Sequence, residues 1–264
     1  MSATSDEDAA ACAELVRSHD FLRYATTLFA SERERRALTA LYAFNVEISR
    51  IRDRVTSPVA GEIRLQWWAD MLQGEGHGGV MGSPVAAQLQ AAIEAFALPV
   101  EDLLALIEAR RGTIGGERMA TMAALQDHLV ASIAPLFATT ARIRGGELAG
   151  ADDILSHASL ALGLVSAPVT ERHLLPAEFV PGPGGTITPE AGAKLVAAAR
   201  QHLDSAFSCL SRLAPAARPA FLHLSVLRHQ LRRGPTADDK LPEPCSHLRI
   251  LWTLWRAARG RDFN

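Results

Sequence analysis

Residues 20–72 read DFLRYATTLFASERERRALTALYAFNVEISRIRDRVTSPVAGEIRLQWWADML, and this stretch decides the fold. Its apolar residues recur three and four positions apart, which is the spacing of one helix face, and no alternating β-branched run interrupts them. Ser31 and Glu34 have the spacing of a capping box that starts a helix. The same periodicity continues through the rest of the chain, so we predict an all-α protein.

The periodicity predicts about ten helices. They lie near residues 8–29, 32–54, 59–73, 84–97, 99–111, 120–145, 151–166, 188–212, 216–233 and 246–259. Residues 74–79 contain GxGxxG, but no strand precedes the glycines, which favours an interhelical hinge over a dinucleotide site. No linker is long enough to divide the 264 residues. We therefore predict a single domain over residues 1–264 with one continuous core, in which residues 1–11 are disordered.

Composition and charge argue against several classes of function. The formal net charge is −2 and no basic stripe is interleaved with aromatic residues, so we expect no nucleic-acid partner. Three widely separated cysteines give neither a disulfide framework nor zinc-ligand spacing. The N-terminal residues resemble neither a secretory signal nor an organelle presequence, and no window reaches the roughly 18 uncharged apolar residues of a membrane span. We expect a cytoplasmic protein with at most peripheral membrane contact.

One predicted helix carries a polar face. Asn45, Ser49 and Asp53 are four residues apart and therefore share one side of a helix whose other positions are apolar. A polar stripe on a buried helix faces a cavity or a partner. Glu47 and Arg50 have the spacing of an ordinary surface ion pair. Arg50 and its neighbouring arginines are equally compatible with binding an anionic head group or a charged loop of a partner.

Two segments resemble the squalene and phytoene synthase family. They are residues 42–44 (YAF) and 64–68 (RLQWW), and weaker matches follow at 101–125 and 158–179. The resemblance implies a single isoprenoid-synthase-like helical bundle with a central cavity. It also supplies candidates for the cavity lining. These are Tyr24, Asn45, Ser49, Arg50, Asp53, Arg64, Trp67 and Gly163.

The sequence departs from catalytic members of this family where they hold magnesium. Ser49 and Asp53 match a pair of family aspartates, and Arg50 replaces a neighbouring one. The second aspartate-bearing segment is shortened, and Glu171 is the acid left beside it. Magnesium takes oxygen ligands, and ionising a diphosphate requires bound metal. We therefore expect no catalytic residue, no metal and no cofactor. The alternative is Mg²⁺-dependent prenyl transfer through Asp53 and Glu171.

The departures resemble one branch of the family, which serves in the assembly of respiratory complex I. Residues 43–47 read AFNVE, as in that branch, which likewise lacks the aspartate pairs. The resemblance implies a non-catalytic assembly protein whose partner is a complex I subunit or assembly intermediate. The lack of a presequence favours a bacterial protein. A further alternative is an isoprenoid-lipid binding protein without an assembly role.

The C-terminal segment is the candidate for membrane contact. Residues 248–262 place Ile250, Leu254 and Trp255 on one side of a helix, with arginines elsewhere. This is the pattern of a basic amphipathic helix at a membrane surface. We favour packing on the bundle with snorkelling arginines. The alternative is peripheral contact with the inner membrane.

Overall fold

The computed structural model describes residues 3–75, 82–148, 150–181, 185–232, 242, 244–260 and 263. Within these ranges the protein has twelve α-helices and no strand, which confirms the predicted all-α class. The helices are α1 Ala3–His19, α2 Phe21–Thr27, α3 Glu32–Ser49, α4 Ile51–Arg54, α5 Pro58–Gln73, α6 Pro84–Phe96, α7 Val100–Arg111, α8 Met122–Ile143, α9 Asp152–Thr170, α10 Pro189–Leu210, α11 Leu224–Arg232 and α12 His247–Ala258. Residues 76–79 of the glycine-rich pattern lie outside the described residues.

Three of the predicted helices are divided in the structure. The first breaks at Asp20, whose side chain accepts a hydrogen bond from the backbone N–H of Arg23 and so begins α2. The second breaks at Arg50, the residue between α3 and α4. The ninth begins as a 3-10 helix that contains Pro215 and Pro219. Proline has no N–H to donate, which disfavours a regular α-helix there.

The N-terminal segment differs from its prediction. Disorder was expected over residues 1–11, and this is wrong for the described part, because α1 begins at its third residue. Two long-range contacts order its first turns. Arg36 Nη1 donates to Asp6 Oδ1 at 2.8 Å, and Gln88 Nε2 donates to the carbonyl of Ser5 at 3.0 Å. These contacts fasten the start of α1 to α3 and α6.

The apolar core has two parts with a cavity where they meet. One part is built mainly by α8, α9, α10 and α11, and the other by α1, α3, α5, α6 and α7. α8 contributes to both parts, through Leu129 to the first and Leu136 to the second. Leu129 and Ile48, one from each part, lie in the cavity wall. The fold therefore opens its central space between α3 and α8.

α9 is a core helix with the composition of a membrane span. By length and hydropathy alone it could cross a membrane, contrary to the expectation that no window would qualify. Half of its apolar window is buried in the bundle, where it packs between α8 and α10. A Cβ at Gly163 would lie 2.8 Å from Leu129 Cδ2, so α9 approaches α8 closely there. Tight packing against two neighbours accounts for its apolar composition.

Candidate functional site

A cavity of about 510 Å³ opens between α2, α3, α7, α8 and α9. Pockets that hold small molecules commonly measure about 300–1,000 Å³, so this one is large enough for a ligand. Apolar side chains form its middle wall. They are Val46, Ile48, Leu129, Ile133 and Leu162. Charged groups lie on two sides, which we name the α2 side (Asp20, Arg23 and His223) and the α7 side (Arg50, Arg52, Asp53, Arg110, Glu171 and His173).

The α2 side carries one ion pair and one buried histidine. Asp20 Oδ2 lies 2.5 Å from Arg23 Nη1, so the two charges form an ion pair. His223 is buried, and its ring stacks on Phe137 with 4.9 Å between the centroids. Burial, with a smaller contribution from Arg23, lowers the pKa of His223 to about 3. The imidazole is therefore neutral at ordinary pH.

On the α7 side, Glu171 is held by two partners. It is the C-cap residue of α9 and forms a largely buried ion pair with Arg110 in the last turn of α7. Its second oxygen lies 3.4 Å from His128 Nε2 on α8. Burial raises the pKa of Glu171, but Arg110 and His128 outweigh it and lower the pKa to about 2. The ionised carboxylate thus joins the ends of α7 and α9 to α8 instead of facing the cavity as a free ligand.

The rest of the α7 side carries excess positive charge. In the described part of the chain, neither Arg50 nor Arg52 forms an ion pair with a carboxylate. Arg50 Nη1 is buried and has no hydrogen-bond partner there. Burial and the nearby Arg52 lower the pKa of His173, while Asp53 and Glu171 oppose this shift. Three arginines face two carboxylates on this side. An anion entering the cavity would meet uncompensated guanidinium groups.

The predicted polar stripe faces the cavity. Asn45, Ser49 and Asp53 all line it. Ser49 Oγ donates to the carbonyl of Val46 at 3.1 Å, whereas Oδ1 of Asn45 has no partner among the described residues although Asn45 is only 8% exposed. The stripe therefore offers the cavity an acceptor that has no partner among the described residues.

Arg50 also lines the cavity, and this resolves one alternative left open by the sequence. The surface pair expected between Glu47 and Arg50 is not formed. Instead, Arg54 Nη1 lies 3.1 Å from Glu47 Oε1. The helix break between α3 and α4 directs Arg50 inward and leaves Arg54 as the partner of Glu47.

Four other candidates lie outside the cavity wall. Arg64 is exposed on α5, and Trp67 packs edge-on against Trp68 with 4.9 Å between the ring centroids. Tyr24 is partly buried against the core, whereas its neighbours Leu22 and Arg23 line the cavity. Gly163 lies at the close approach of α9 to α8. The placement of these four corrects the interpretation drawn from the family motifs.

The sequence interpretation missed several site residues. Arg110, His128 and His173 were not singled out, nor was the pair Asp20 and Arg23. A weak signal exists for some of them, since residues 171–173 bring an acid, an arginine and a histidine together directly after an apolar helix. No local spacing points to Arg110, because its partner is 61 residues away.

The donor set of the cavity does not fit a magnesium cluster. Mg²⁺ demands nearly octahedral oxygen coordination and is usually held by one or more free carboxylates plus substrate phosphates. Among the described residues, no group of three or more His, Cys, Asp or Glu side chains could hold a metal. Asp20 and Glu171 are already paired with arginines, which leaves Asp53 alone. We therefore assign no reaction step through magnesium.

The architecture is similar to that of solved prenyl-synthase structures. A dehydrosqualene synthase in complex with ligand aligns with a TM-score of 0.74 at 14% identity, covering 97% of this chain and 96% of that one. The squalene synthase HpnC from Alicyclobacillus acidocaldarius aligns with a TM-score of 0.61 at 21% identity, covering 88% and 97%. These likenesses confirm the predicted isoprenoid-synthase-like bundle.

Proteins named as assembly factors match this chain by sequence. The Mus musculus protein named NADH dehydrogenase (ubiquinone) complex I, assembly factor 6 is 27% identical over 155 residues, which are 59% of this chain and 46% of that protein. The Rattus norvegicus protein of the same name is 25% identical over 251 residues, or 88% and 75%. The match thus spans about half the length of the mouse relative.

A family-level match covers most of the cavity. The family described as Squalene/phytoene synthase matches residues 16–167, more than half of the chain. This range contains α2 to α8 and nearly all of α9, and with them most of the residues that line the cavity. The chain therefore belongs to the squalene/phytoene synthase family.

Proposed function

We propose that this protein is an assembly factor for respiratory NADH dehydrogenase, complex I, and that it has kept the synthase fold without the prenyl-transfer reaction. The observation that carries the proposal is the similarity to proteins named complex I assembly factor 6, which extends over 88% of this chain in the rat sequence. Its partner would be a complex I subunit or an assembly intermediate.

The chemistry of the cavity supports a non-catalytic role. Ionising a prenyl diphosphate requires that the charge developing on the leaving group be neutralised, normally by bound metal ions. Glu171 is committed to Arg110 and His128, and Arg50 stands beside Ser49 where carboxylates would be needed. These residues can bind an anion, but they do not supply the ligands for a metal cluster.

A genetic experiment tests the proposal. In a host that carries this gene, deletion should lower the amount of assembled complex I on native gels, and the intact gene should restore it. The variant Asp53→Asn should restore assembly equally well, because it removes the last unpaired cavity carboxylate without touching the fold. A deletion strain with normal complex I would refute the proposal.

A biochemical experiment tests the catalytic alternative through Asp53 and Glu171. The purified protein is incubated with farnesyl or geranylgeranyl diphosphate and Mg²⁺. We expect no release of pyrophosphate. Release that disappears in Asp53→Asn, together with a condensed hydrocarbon product, would favour a prenyltransferase.

A second candidate function is the binding of an anionic isoprenoid-like lipid without metal. The observation that favours it is the combination of an apolar middle wall with Arg50, whose Nη1 atom lacks a partner in the described part of the chain. A guanidinium group matches phosphate geometry, and the apolar wall matches a hydrocarbon tail. Such a ligand could coexist with the assembly role.

Native mass spectrometry with geranylgeranyl monophosphate tests the second candidate. Binding should persist in EDTA, because no metal is required. Arg50→Met should lower the affinity about tenfold or more, since a hydrogen bond to a charged group is lost. Arg64→Met is the matched control, because Arg64 is exposed outside the cavity. Equal binding by both variants, or loss of binding in EDTA, would contradict this candidate.

A further inference from the structure

α12 packs on the core with one face and exposes a row of apolar side chains on another. Ile250 and Leu254 are buried against the bundle. Leu248, Trp252 and Trp255 are 81%, 59% and 40% exposed. These three residues are spaced by four and three positions, so they follow one another along one side of the helix. We call them the apolar ridge.

The apolar ridge is ordered by contacts among its own side chains. The rings of Trp252 and Trp255 stack with 5.1 Å between centroids, and the guanidinium carbon of Arg259 lies 4.2 Å from the Trp255 ring centroid. At the start of α12, His247 stacks on Phe21 of α2 at 3.6 Å. Because Ile250 and Leu254 already anchor the helix, the fold itself gives no reason for two exposed tryptophans.

Among the described residues of α12 and its flanks, all charged side chains around the apolar ridge have one sign. Residues 246–260 contain no acidic side chain. They contain His247, Arg249, Arg256 and Arg259, and the last two are exposed. The two helices that pack on α12 add no free acid within the described residues. α11 has none, and the carboxylate of α2's cap residue, Asp20, is bound to an arginine.

We propose that α12 binds an anionic lipid surface, with the apolar ridge inserted at the boundary between head groups and acyl chains and Arg256 and Arg259 among the phosphates. Tryptophan favours this boundary, because its ring is apolar and its N–H can still reach water or head groups. Arginines around an apolar helix face add electrostatic attraction to negatively charged lipids. A protein partner would need an apolar patch for the tryptophans directly beside acidic groups for the arginines. An anionic membrane offers acyl chains and phosphates over its whole surface.

Vesicle co-sedimentation of the full chain tests this surface. The protein should bind vesicles of phosphatidylcholine with phosphatidylglycerol, bind weakly to phosphatidylcholine alone, and lose binding as salt is raised. Trp252→Ser with Trp255→Ser should weaken binding about tenfold or more. The matched control is Val59→Ser with Ile63→Ser, an apolar pair on α5 that is 68% and 66% exposed. This control should bind like the wild type.

Other outcomes overturn the proposal. If the tryptophan variant binds as the wild type does, or if the α5 variant loses as much, the apolar ridge is not the lipid-binding surface. If the wild type does not bind anionic vesicles but the tryptophan variant no longer co-purifies with complex I intermediates, the surface binds protein instead.

Arg256→Glu with Arg259→Glu gives an independent test, because both side chains are exposed and their loss should abolish the preference for anionic lipid. Circular dichroism confirms that each variant is folded. Since complex I assembly is not measured in the vesicle assay, its result stands apart from the proposed function.

Discussion

The two sides of the cavity use their charges differently. On the α2 side, Asp20 is paired with Arg23, and His223 is neutral. On the α7 side, the pair of Arg110 with Glu171 is joined by arginines that have no carboxylate among the described residues. The α2 side keeps a neutral group, Nε2 of His223, without a hydrogen-bond partner among the described residues, whereas the α7 side keeps a charged one, Nη1 of Arg50. The comparison shows that the two sides of one cavity differ in charge balance, because acid and arginine are matched on the α2 side and arginines are in excess on the α7 side.

We expect the largest loss of stability from breaking the ion pair between Arg110 and Glu171 on the α7 side. Glu171→Gln would leave Arg110 largely buried without its counter-ion, at a cost of about 2–3 kcal/mol in the free energy of unfolding. Urea denaturation measures this. Replacing both partners, with Arg110→Met and Glu171→Leu, should cost less than the single change. A single variant as stable as the wild type would show that the pair is not structural.

The next effect concerns pH and the α2 side. Because the folded protein lowers the pKa of His223 to about 3, the unfolded chain binds more protons below its ordinary value of 6.5. Stability should therefore be complete above pH 6.5 and fall as the pH is lowered from 6.5 towards 3, with about 2–3 kcal/mol lost between pH 6.5 and 4.5. Glu171, whose pKa is lowered to about 2, begins to lose its own contribution only below pH 4.5.

His223→Phe isolates the contribution of the α2 side. It keeps the stack on Phe137 and removes the titrating group, so the fall in stability between pH 6.5 and 4.5 should become shallower. His173 and His202, whose pKa values are also lowered, account for the remaining slope. An unchanged slope would assign the pH dependence to those other histidines.

A smaller effect is expected from rebuilding the carboxylates on the α7 side. Ser49→Asp with Arg50→Asp would place two acids beside Asp53 and should create weak Mg²⁺ binding, worth about 0.5–1 kcal/mol of stabilisation at millimolar metal. Thermal unfolding with and without Mg²⁺ measures it. Arg64→Asp is the control for a charge change outside the cavity. A magnesium-dependent rise in the unfolding temperature of the wild type would contradict the prediction, because the α7 side would then already bind the metal.

The smallest effect should come from the pair that lies outside the cavity. Glu47→Gln removes the contact with Arg54, which is partly exposed and screened by water. Such surface pairs contribute about 0–1 kcal/mol, so chemical denaturation should barely distinguish the variant from the wild type. If Glu47→Gln lowered the free energy of unfolding as much as Glu171→Gln does, buried and exposed ion pairs would not differ in their contribution to stability.

Local patterns in the sequence predicted the helices and the polar stripe. Asn45, Ser49 and Asp53 share a helix face because of their spacing alone, and that face does line the cavity. The ordering of the first turns of α1 could not be predicted from local spacing, because it depends on the contact of Asp6 with Arg36, which is 30 residues away. The partner of Glu171 is likewise distant in the sequence. Contacts of this kind arise from packing, which local spacing does not encode.

Motif resemblance was a weaker guide to side-chain direction. Arg64 and Trp67 belong to a segment that matches the family, yet one is exposed and the other packs on Trp68. A motif identifies the helix, whereas the rotation of that helix is set by its neighbours. The break at Arg50 shows the same limit, because spacing alone left open a surface pair of Arg50 with Glu47, whereas the structure places Arg50 in the cavity wall.

Asn45 places a condition on whatever enters the cavity. Its Oδ1 is buried without a donor among the described residues, and an unsatisfied buried acceptor costs about 1–3 kcal/mol. A pure hydrocarbon such as squalene would seal that atom from water and leave the cost in place. A molecule with a hydroxyl partway along its chain, or a hydrocarbon that enters with a bridging water, would remove it. The amide therefore favours oxygenated occupants over the finished hydrocarbons that synthases release.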